Sequence, residues 1–106
     1  MTRGTSIETR ELLDEREKIC GDYADHAHTL ISVMEHLMIA PGWDKLSSCM
    51  KETIYMTIFK YARILNGDPN FLDHWQDVVG YNQLIVDRLH KPIPSRTAAD
   101  DGWTGQ

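Results

Sequence analysis

The sequence contains few cysteines and no long apolar run. Only Cys20 and Cys49 carry thiols, which is too few for a disulfide framework, and their spacing fits no Cys/His zinc motif. We therefore expect both to be reduced thiols that are buried or half-buried. No stretch approaches the roughly 18 apolar residues of a membrane span, and residues 1–18 lack the apolar centre of a signal peptide. The sequence thus predicts a soluble, cytoplasmic protein without a membrane partner.

An excess of positive charge is also lacking. Eleven Lys and Arg residues stand against 16 Asp and Glu residues, so the formal net charge is −5. A protein that binds a nucleic-acid backbone needs a basic face, and we therefore expect no nucleic-acid partner. A chain of 106 residues is one small domain. Because a second copy would help such a domain to bury its apolar stripes, we expect a homodimer.

Helical periodicity is the pattern that is present. Apolar residues recur at intervals of three and four, and no segment alternates with the period of a strand. We predict an all-α fold, a helical bundle of about four helices with a C-terminal αα-hairpin and a flexible tail. Residues 1–90 would form a single helical domain, in which a capping box at Thr5 starts a peripheral first helix. Residues 91–106 contain two prolines and two glycines and are predicted to be an extended or disordered tail.

The second predicted helix begins after a break at Gly21, with Asp22 as its cap, and runs to Ile39. Its histidines suggest a metal site, because imidazole is a common ligand. However, His26 and His28 are two positions apart and project about 200° from each other around a helix, so they cannot chelate one ion together. The apolar residues at helical spacing predict this core stripe: Tyr23, Ala27, Leu30, Ile31, Met34, Leu37 and Met38.

The third and fourth predicted helices form the hairpin. Asp44 or Ser47 caps the third helix, and Gly67 is expected to end it in a left-handed conformation. Pro69 prevents continuation, and Asn70 is expected to cap the fourth helix. The short turn implies antiparallel packing.

The buried stripes of the hairpin are predicted from the same spacing. Gly80 lies inside the fourth helix at a cost of about 1 kcal/mol in propensity, which suggests that another helix or a ligand packs closely there. The stripe residues are Leu46, Met50, Ile54, Thr57, Ile58, Tyr61 and Leu65 on the third helix, and Phe71, Trp75, Val78, Val79, Leu84, Ile85 and Leu89 on the fourth.

A polar stripe runs beside these apolar faces. Lys60 and Arg63 lie near the end of the third helix, and Asp73 and Asp77 lie near the start of the fourth, so antiparallel packing should bring all four together at the turn. Two explanations remain open. The groups could be ion pairs that also suit the helix dipoles. Alternatively, the two carboxylates could hold a divalent cation while the cations bind phosphate, because Mg²⁺ needs only one or two protein carboxylates beside phosphate oxygens.

The order of these residues resembles a phage-borne family of small proteins of unknown function with the pattern YGD…H…KxAR…DxxxDxxGY. The resemblance covers roughly residues 18–89, with Cys20 where the family usually has Tyr. That family is in turn distantly similar to the MazG-like all-α nucleotide pyrophosphohydrolases. The positions that match the phage pattern are Gly21, Asp22, His28, Lys60, Ala62, Arg63, Asp73, Asp77, Gly80 and Tyr81.

This resemblance implies a Mg²⁺-dependent nucleoside triphosphate pyrophosphohydrolase, or a nucleotide-binding relative, in the cytoplasm of a phage host. The ExxE and ExxD motifs of the MazG-like enzymes are not intact here, so the metal ligands would be Asp73 and Asp77, with Glu52 as a third. The implied phosphate-binding residues are Lys60 and Arg63, and the implied catalytic residues are His28 and Tyr81. The alternative is a non-catalytic phage accessory protein that binds a host protein and uses the same charges as an internal ion-pair network.

Overall fold

A computed structural model describes residues 7–90 of the chain and shows an all-α fold. Within this range there are four α-helices and no strand, which confirms the predicted fold class. A short 3₁₀ turn, Trp43–Lys45, precedes the third helix. The helices are α1 (Ile7–Cys20), α2 (Tyr23–Met38), α3 (Ser48–Asn66) and α4 (Leu72–His90).

The caps of α2 and α3 form where the sequence places them. Gly21 has a φ of 86°, a conformation that favours glycine, and it ends α1. Asp22 then caps α2, because its carboxylate accepts a hydrogen bond from the Asp25 amide at 3.1 Å. Ser47, rather than Asp44, caps α3 by accepting a hydrogen bond from the Met50 amide at 3.2 Å.

Helix α3 is the central element, with α2 packed on one side and α4 on the other. The apolar core lies between α2 and α3 around Leu30, Met34 and the fully buried Ala62. Side-chain amides link α3 to both neighbours. Asn66 Nδ2 donates to Thr29 Oγ1 of α2, and Asn82 Nδ2 of α4 donates to Thr57 Oγ1, each at 3.0 Å.

The predicted core stripes are partly wrong in phase. On α2, Leu30 and Met34 are buried as expected, whereas Tyr23 is 83% exposed. On α4 the buried side chain is His74, which shares its face with the half-buried Val78. These stripe residues are at least 37% exposed: Ile31 and Met38 on α2, Tyr61 and Leu65 on α3, and Trp75, Val79, Leu84 and Leu89 on α4. For Tyr61, Leu65, Trp75, Val79 and Leu89 the reason is the open arrangement, because α2 and α4 flank α3 and leave one side of the α3–α4 hairpin uncovered within residues 7–90.

Three expectations about the turn and α4 are also wrong. Gly67 has φ −128° and ψ −133°, so it is not left-handed. Asn70 lies before the first residue of α4 and is not its cap; instead its amide donates to the Asp68 carboxylate at 2.9 Å. A Cβ built at Gly80 meets no atom within 4 Å, so no other helix packs closely there within the described chain, while the alternative of a ligand at this point stays a prediction.

Two further expectations fall on parts of the chain outside the described residues. They are the capping box at Thr5 and the tail at 91–106. None of the helices between residues 7 and 90 is both long enough and apolar enough to span a membrane.

Candidate functional site

A cleft of about 480 Å³ lies between α1, the end of α3 and the start of α4. Its size is in the range of small-molecule sites, which are about 300–1,000 Å³. All four residues of the predicted polar stripe near the turn line it. Its charged and titratable lining residues are Glu15, Arg16 and Cys20 from α1, Lys60 and Arg63 from α3, and Asp73, His74 and Asp77 from α4.

One direct ion pair crosses this cleft. Lys60 Nζ lies 2.9 Å from Asp77 Oδ2, and the two side chains are 13% and 46% exposed. The pair forms because antiparallel packing places the last two turns of α3 beside the first two turns of α4. Asp73 lies one turn before Asp77 and is exposed, and it makes no ion pair with another residue in the range 7–90. The cleft therefore contains one paired carboxylate, Asp77, and two carboxylates without an ion pair among residues 7–90, Asp73 and Glu15.

Helix α1 closes the cleft through backbone contacts at its C-terminus. The Ile19 carbonyl accepts a hydrogen bond from the Asp68 amide at 2.9 Å, just after α3 ends. Two glycines permit this close approach. A Cβ at Gly67 would lie 2.2 Å from the Ile19 carbonyl oxygen, and a Cβ at Gly21 would lie 2.2 Å from the Asn66 carbonyl oxygen. Gly67 is therefore needed for the docking of α1 rather than for a left-handed helix end.

His74 is the most deeply buried polar side chain of the cleft, at 2% exposure. Its imidazole donates to the Ile19 carbonyl, while its Nε2 has no hydrogen-bond partner among the residues described. Burial lowers the pKa of His74 below its ordinary value. The cations Lys60 and Arg63 lower it as well, and the hydrogen bond to Ile19 and the Asp77 carboxylate act in the opposite direction. His74 is therefore a neutral imidazole at neutral pH.

Arg63 lies at the border of a second cleft, of about 470 Å³, between α1, α2 and α3. Its guanidinium carbon is 4.5 Å from the centre of the Phe59 ring, and Phe59 in turn contacts the buried His26 ring edge-on at 4.7 Å. Both nitrogens of His26 lack a hydrogen-bond partner within residues 7–90. Burial lowers the pKa of His26, and Arg63 adds to this effect. Arg16 and Arg63 line both clefts, so the C-terminal half of α1 separates two sites that share cations.

The remaining predicted site residues lie elsewhere. Glu52 is exposed two turns before Lys60, about 12 Å along the helix, and it does not line either cleft. His28 is exposed on α2, and Tyr81 is half-buried one turn beyond Asp77; neither lines a cleft. No group of three or more His, Cys, Asp or Glu side chains that could hold a metal ion occurs in residues 7–90.

The predicted site did not include four charged or titratable residues of the cleft, namely Glu15, Arg16, Cys20 and His74. A signal for His74 is present in the sequence, because it lies at spacings of four and seven from Val78 and Tyr81 and so shares their helix face. Arg16 has no such signal. Its position depends on where α1 docks, and α1 has no buried residue that would reveal its contact face.

No protein-family model matches the chain, and neither a curated protein nor a solved structure matches it at a significant level.

Proposed function

We propose that the chain binds a nucleotide through the cleft between α1, α3 and α4, with the phosphate groups beside Arg63 and Lys60. One observation carries this proposal: the basic and acidic halves of the polar stripe meet in one cleft of ligand size, together with a buried imidazole that has an unpartnered nitrogen. Guanidinium and ammonium groups are the usual phosphate ligands. Although the chain is acidic overall, Lys60 and Arg63 line the same cleft as a third cation, Arg16.

Magnesium fits this cleft only as part of a nucleotide complex. The carboxylates on the same face of α4 are Asp73 and Asp77, and the second is already paired with Lys60. Two carboxylates are too few to form an all-protein cage, but they suffice for Mg²⁺ that retains water and phosphate oxygens. In this arrangement Asp73 contacts the hydrated ion, and Lys60 and Arg63 neutralise phosphate charge.

Cleavage of the nucleotide to a monophosphate and pyrophosphate is the reaction that the sequence resemblance implies. The geometry supports the binding step. For the reaction itself, the cleft contains the neutral imidazole of His74. Neither His28 nor Tyr81, the residues that the resemblance implies, lines this cleft. A neutral imidazole can accept a proton from an attacking water, which is the role of a general base.

The test measures thermal stability of the full chain with Mg²⁺ alone, with each nucleoside triphosphate, and with both. A ligand at one hundred times its dissociation constant adds about 2.7 kcal/mol. For a domain of this size we expect a rise in Tm of upwards of roughly 10 °C. Calorimetric titration of the same mixtures provides the affinity.

Asp73→Asn should remove the Mg²⁺-dependent part of this stabilisation. Asp25→Asn is its matched control, because both aspartates lie in the first turn of a helix and are exposed, but Asp25 is not in the cleft. If no nucleoside triphosphate raises Tm with or without Mg²⁺, the nucleotide proposal is wrong.

The Lys60–Asp77 pair favours a second candidate, the non-catalytic protein that binds a host protein. A pair at 2.9 Å with one partner mostly buried can be purely structural. Asp77→Asn would then strand the Lys60 ammonium, and the ligand-free protein should lose about 1–2 kcal/mol, a value reduced by the exposure of Asp77. Such a loss, combined with no response of the parent protein to Mg²⁺ or nucleotide, would establish the structural role and exclude the enzyme.

A further inference from the structure

The side of the α3–α4 hairpin that faces away from α1 carries a continuous stripe of exposed apolar side chains, here called the bare face. Its members are between 37% and 74% exposed within the described structure. Tyr61 and Trp75 contact each other at a ring separation of 6.2 Å, so both helices contribute to one surface. The bare face consists of Tyr61 and Leu65 from α3 and Leu72, Trp75, Val79, Val86 and Leu89 from α4.

The α4 part of the bare face has the spacing of a helix–helix interface. From Leu72 to Leu89 its positions are separated by steps of three and four, with Asn82 at the one polar step. This stripe lies opposite the cleft. Val79 is two residues from Asp77, which places the two side chains about 160° apart around the helix. A partner bound to the bare face would therefore leave the cleft open.

The area of the bare face is too large for an ordinary exposed patch. From their fractional exposures, its seven side chains leave roughly 800 Å² accessible, which is the share that each partner contributes to a standard interface. The largest apolar patch on a typical monomer is about 300–600 Å². The bare face is thus sufficient for a stable association without any other surface.

The charge distribution indicates what kind of partner fits. The chain has a net charge of −5, yet no member of the bare face is charged, and the neighbouring α4 positions Gln76 and Gln83 are neutral. A two-fold interface brings the same surface of each subunit together, so it excludes like charges at its centre. The bare face meets this condition, and it offers no charged group that would select a different partner.

We propose that the bare face binds a second copy of this chain, so that two α3–α4 hairpins pack back to back as a four-helix arrangement with one cleft on each outer side. Trp75 is the expected anchor, because tryptophan supplies a disproportionate share of interface energy. Each cleft is then complete within one subunit.

The test is the molar mass of the full chain across a dilution series, by light scattering or sedimentation. We expect twice the chain mass of 12.2 kDa. Val79→Glu should raise the dissociation constant at least tenfold, because it buries an unpaired carboxylate at the contact. Leu84→Glu is the matched control: Leu84 is also an exposed apolar residue of α4, but it lies about 140° around the helix from Val79, and its variant should remain a dimer.

Trp75→Ala provides an independent variant that introduces no charge and should weaken the dimer at least tenfold. Circular dichroism of each variant shows whether the monomer is folded. A parent chain that is monomeric at every concentration overturns the proposal. If that monomer loses thermal stability in Val79→Glu but not in Leu84→Glu, the bare face is covered by the chain's own residues 91–106 instead. A dimer that survives both Val79→Glu and Trp75→Ala also overturns it.

Discussion

The two sides of the α3–α4 hairpin differ in nearly every property that determines packing. On one side α1 docks through backbone contacts, and charged and titratable side chains line the cleft there together with a few apolar ones, with Lys60 and Asp77 paired and His74 buried. On the other side the side chains are apolar and uncharged, and none of the described elements covers them. The covered side therefore holds the polar chemistry, and the uncovered side holds the apolar area that ordinarily drives association.

This difference shows what amphipathic periodicity does and does not specify. The spacing of apolar residues on α3 and α4 correctly identifies which side of each helix is apolar. It does not identify what covers that side. The contacts between α3 and α4 include two polar ones, Lys60 with Asp77 and Asn82 with Thr57, and the ring contact of Tyr61 with Trp75.

The largest expected effect comes from detaching α1 from the covered side. In Gly67→Ala the new Cβ would lie 2.2 Å from the backbone oxygen of Ile19, which cannot rotate away as a side chain can. The variant should lose about 3 kcal/mol or more of unfolding free energy, because the Asp68 and His74 hydrogen bonds to Ile19 are disturbed together. Denaturant unfolding measures this loss.

Gly42→Ala is the control for that variant, because nothing lies within 4 Å of a Cβ at Gly42 and its φ of −82° suits alanine. Its stability should change by no more than about 1 kcal/mol, in the stabilising direction. Equal losses in the two variants would show that α1 is not held by the contact between Gly67 and Ile19.

A smaller loss of unfolding free energy is expected when the pH is lowered, and it also arises on the side of the hairpin that α1 covers. The pKa values of His26 and His74 are lowered in the folded protein, by burial first in both cases and by Arg63 in addition. Lys60 also lowers the pKa of His74, while the hydrogen bond to Ile19 and the Asp77 carboxylate act in the opposite direction there. The unfolded chain therefore binds protons at a higher pH than the folded chain does. Stability is fully present above the ordinary pKa of 6.5 and is lost as the pH falls from there towards the lower folded values.

The loss is at most roughly 1.4 kcal/mol per histidine for each pH unit. Denaturant unfolding at about pH 7.5 and about pH 5.5 measures it. His74→Gln should reduce the difference between the two pH values, and His36→Gln, at an exposed position of α2, serves as the control variant. Stability that is equal at both pH values in the parent protein would contradict the burial of neutral imidazoles.

The smallest expected effect is a gain at Gly80, where the sequence suggests close packing and the structure shows open space. Gly80→Ala should stabilise the protein by about 1 kcal/mol, since alanine is the better helix former and its methyl group meets no neighbour. Thermal unfolding measures the gain. A loss instead would reveal a partner or ligand that packs against this turn of α4.

Much of the fold could be predicted from the sequence because its signals are local. Gly21, Asp22 and Ser47 act through residues within four positions of themselves, so the boundaries of α2 and α3 follow from the chain itself. The phase of the core was not predictable in the same way. Leu30 and Ile31 are both apolar and lie about 100° apart around α2, and only Leu30 is buried, because α3 approaches the face that carries it.

The same distinction applies to the candidate site. The meeting of Lys60 with Asp77 follows from helical spacing and a short turn, and both are visible in the sequence. The distance of Glu52 from the cleft also follows from spacing, because it lies two turns before Lys60 on α3. The residues that α1 contributes to the cleft do not follow from spacing, because they depend on where α1 docks. Helix α1 has no buried residue, and its docking depends on the backbone contact between Ile19 and Asp68 and on the missing Cβ atoms of Gly21 and Gly67, which helical periodicity does not reveal.

The absence of a buried side chain in α1 also has a kinetic consequence. A helix held by a few hydrogen bonds at one end can detach in a local opening that costs much less than global unfolding. Because Arg16 and Cys20 line both clefts, one such opening exposes the two clefts at the same time. The amide protons of α1 should therefore exchange with solvent earlier than those of α3, and a molecule enclosed in either cleft should slow that exchange.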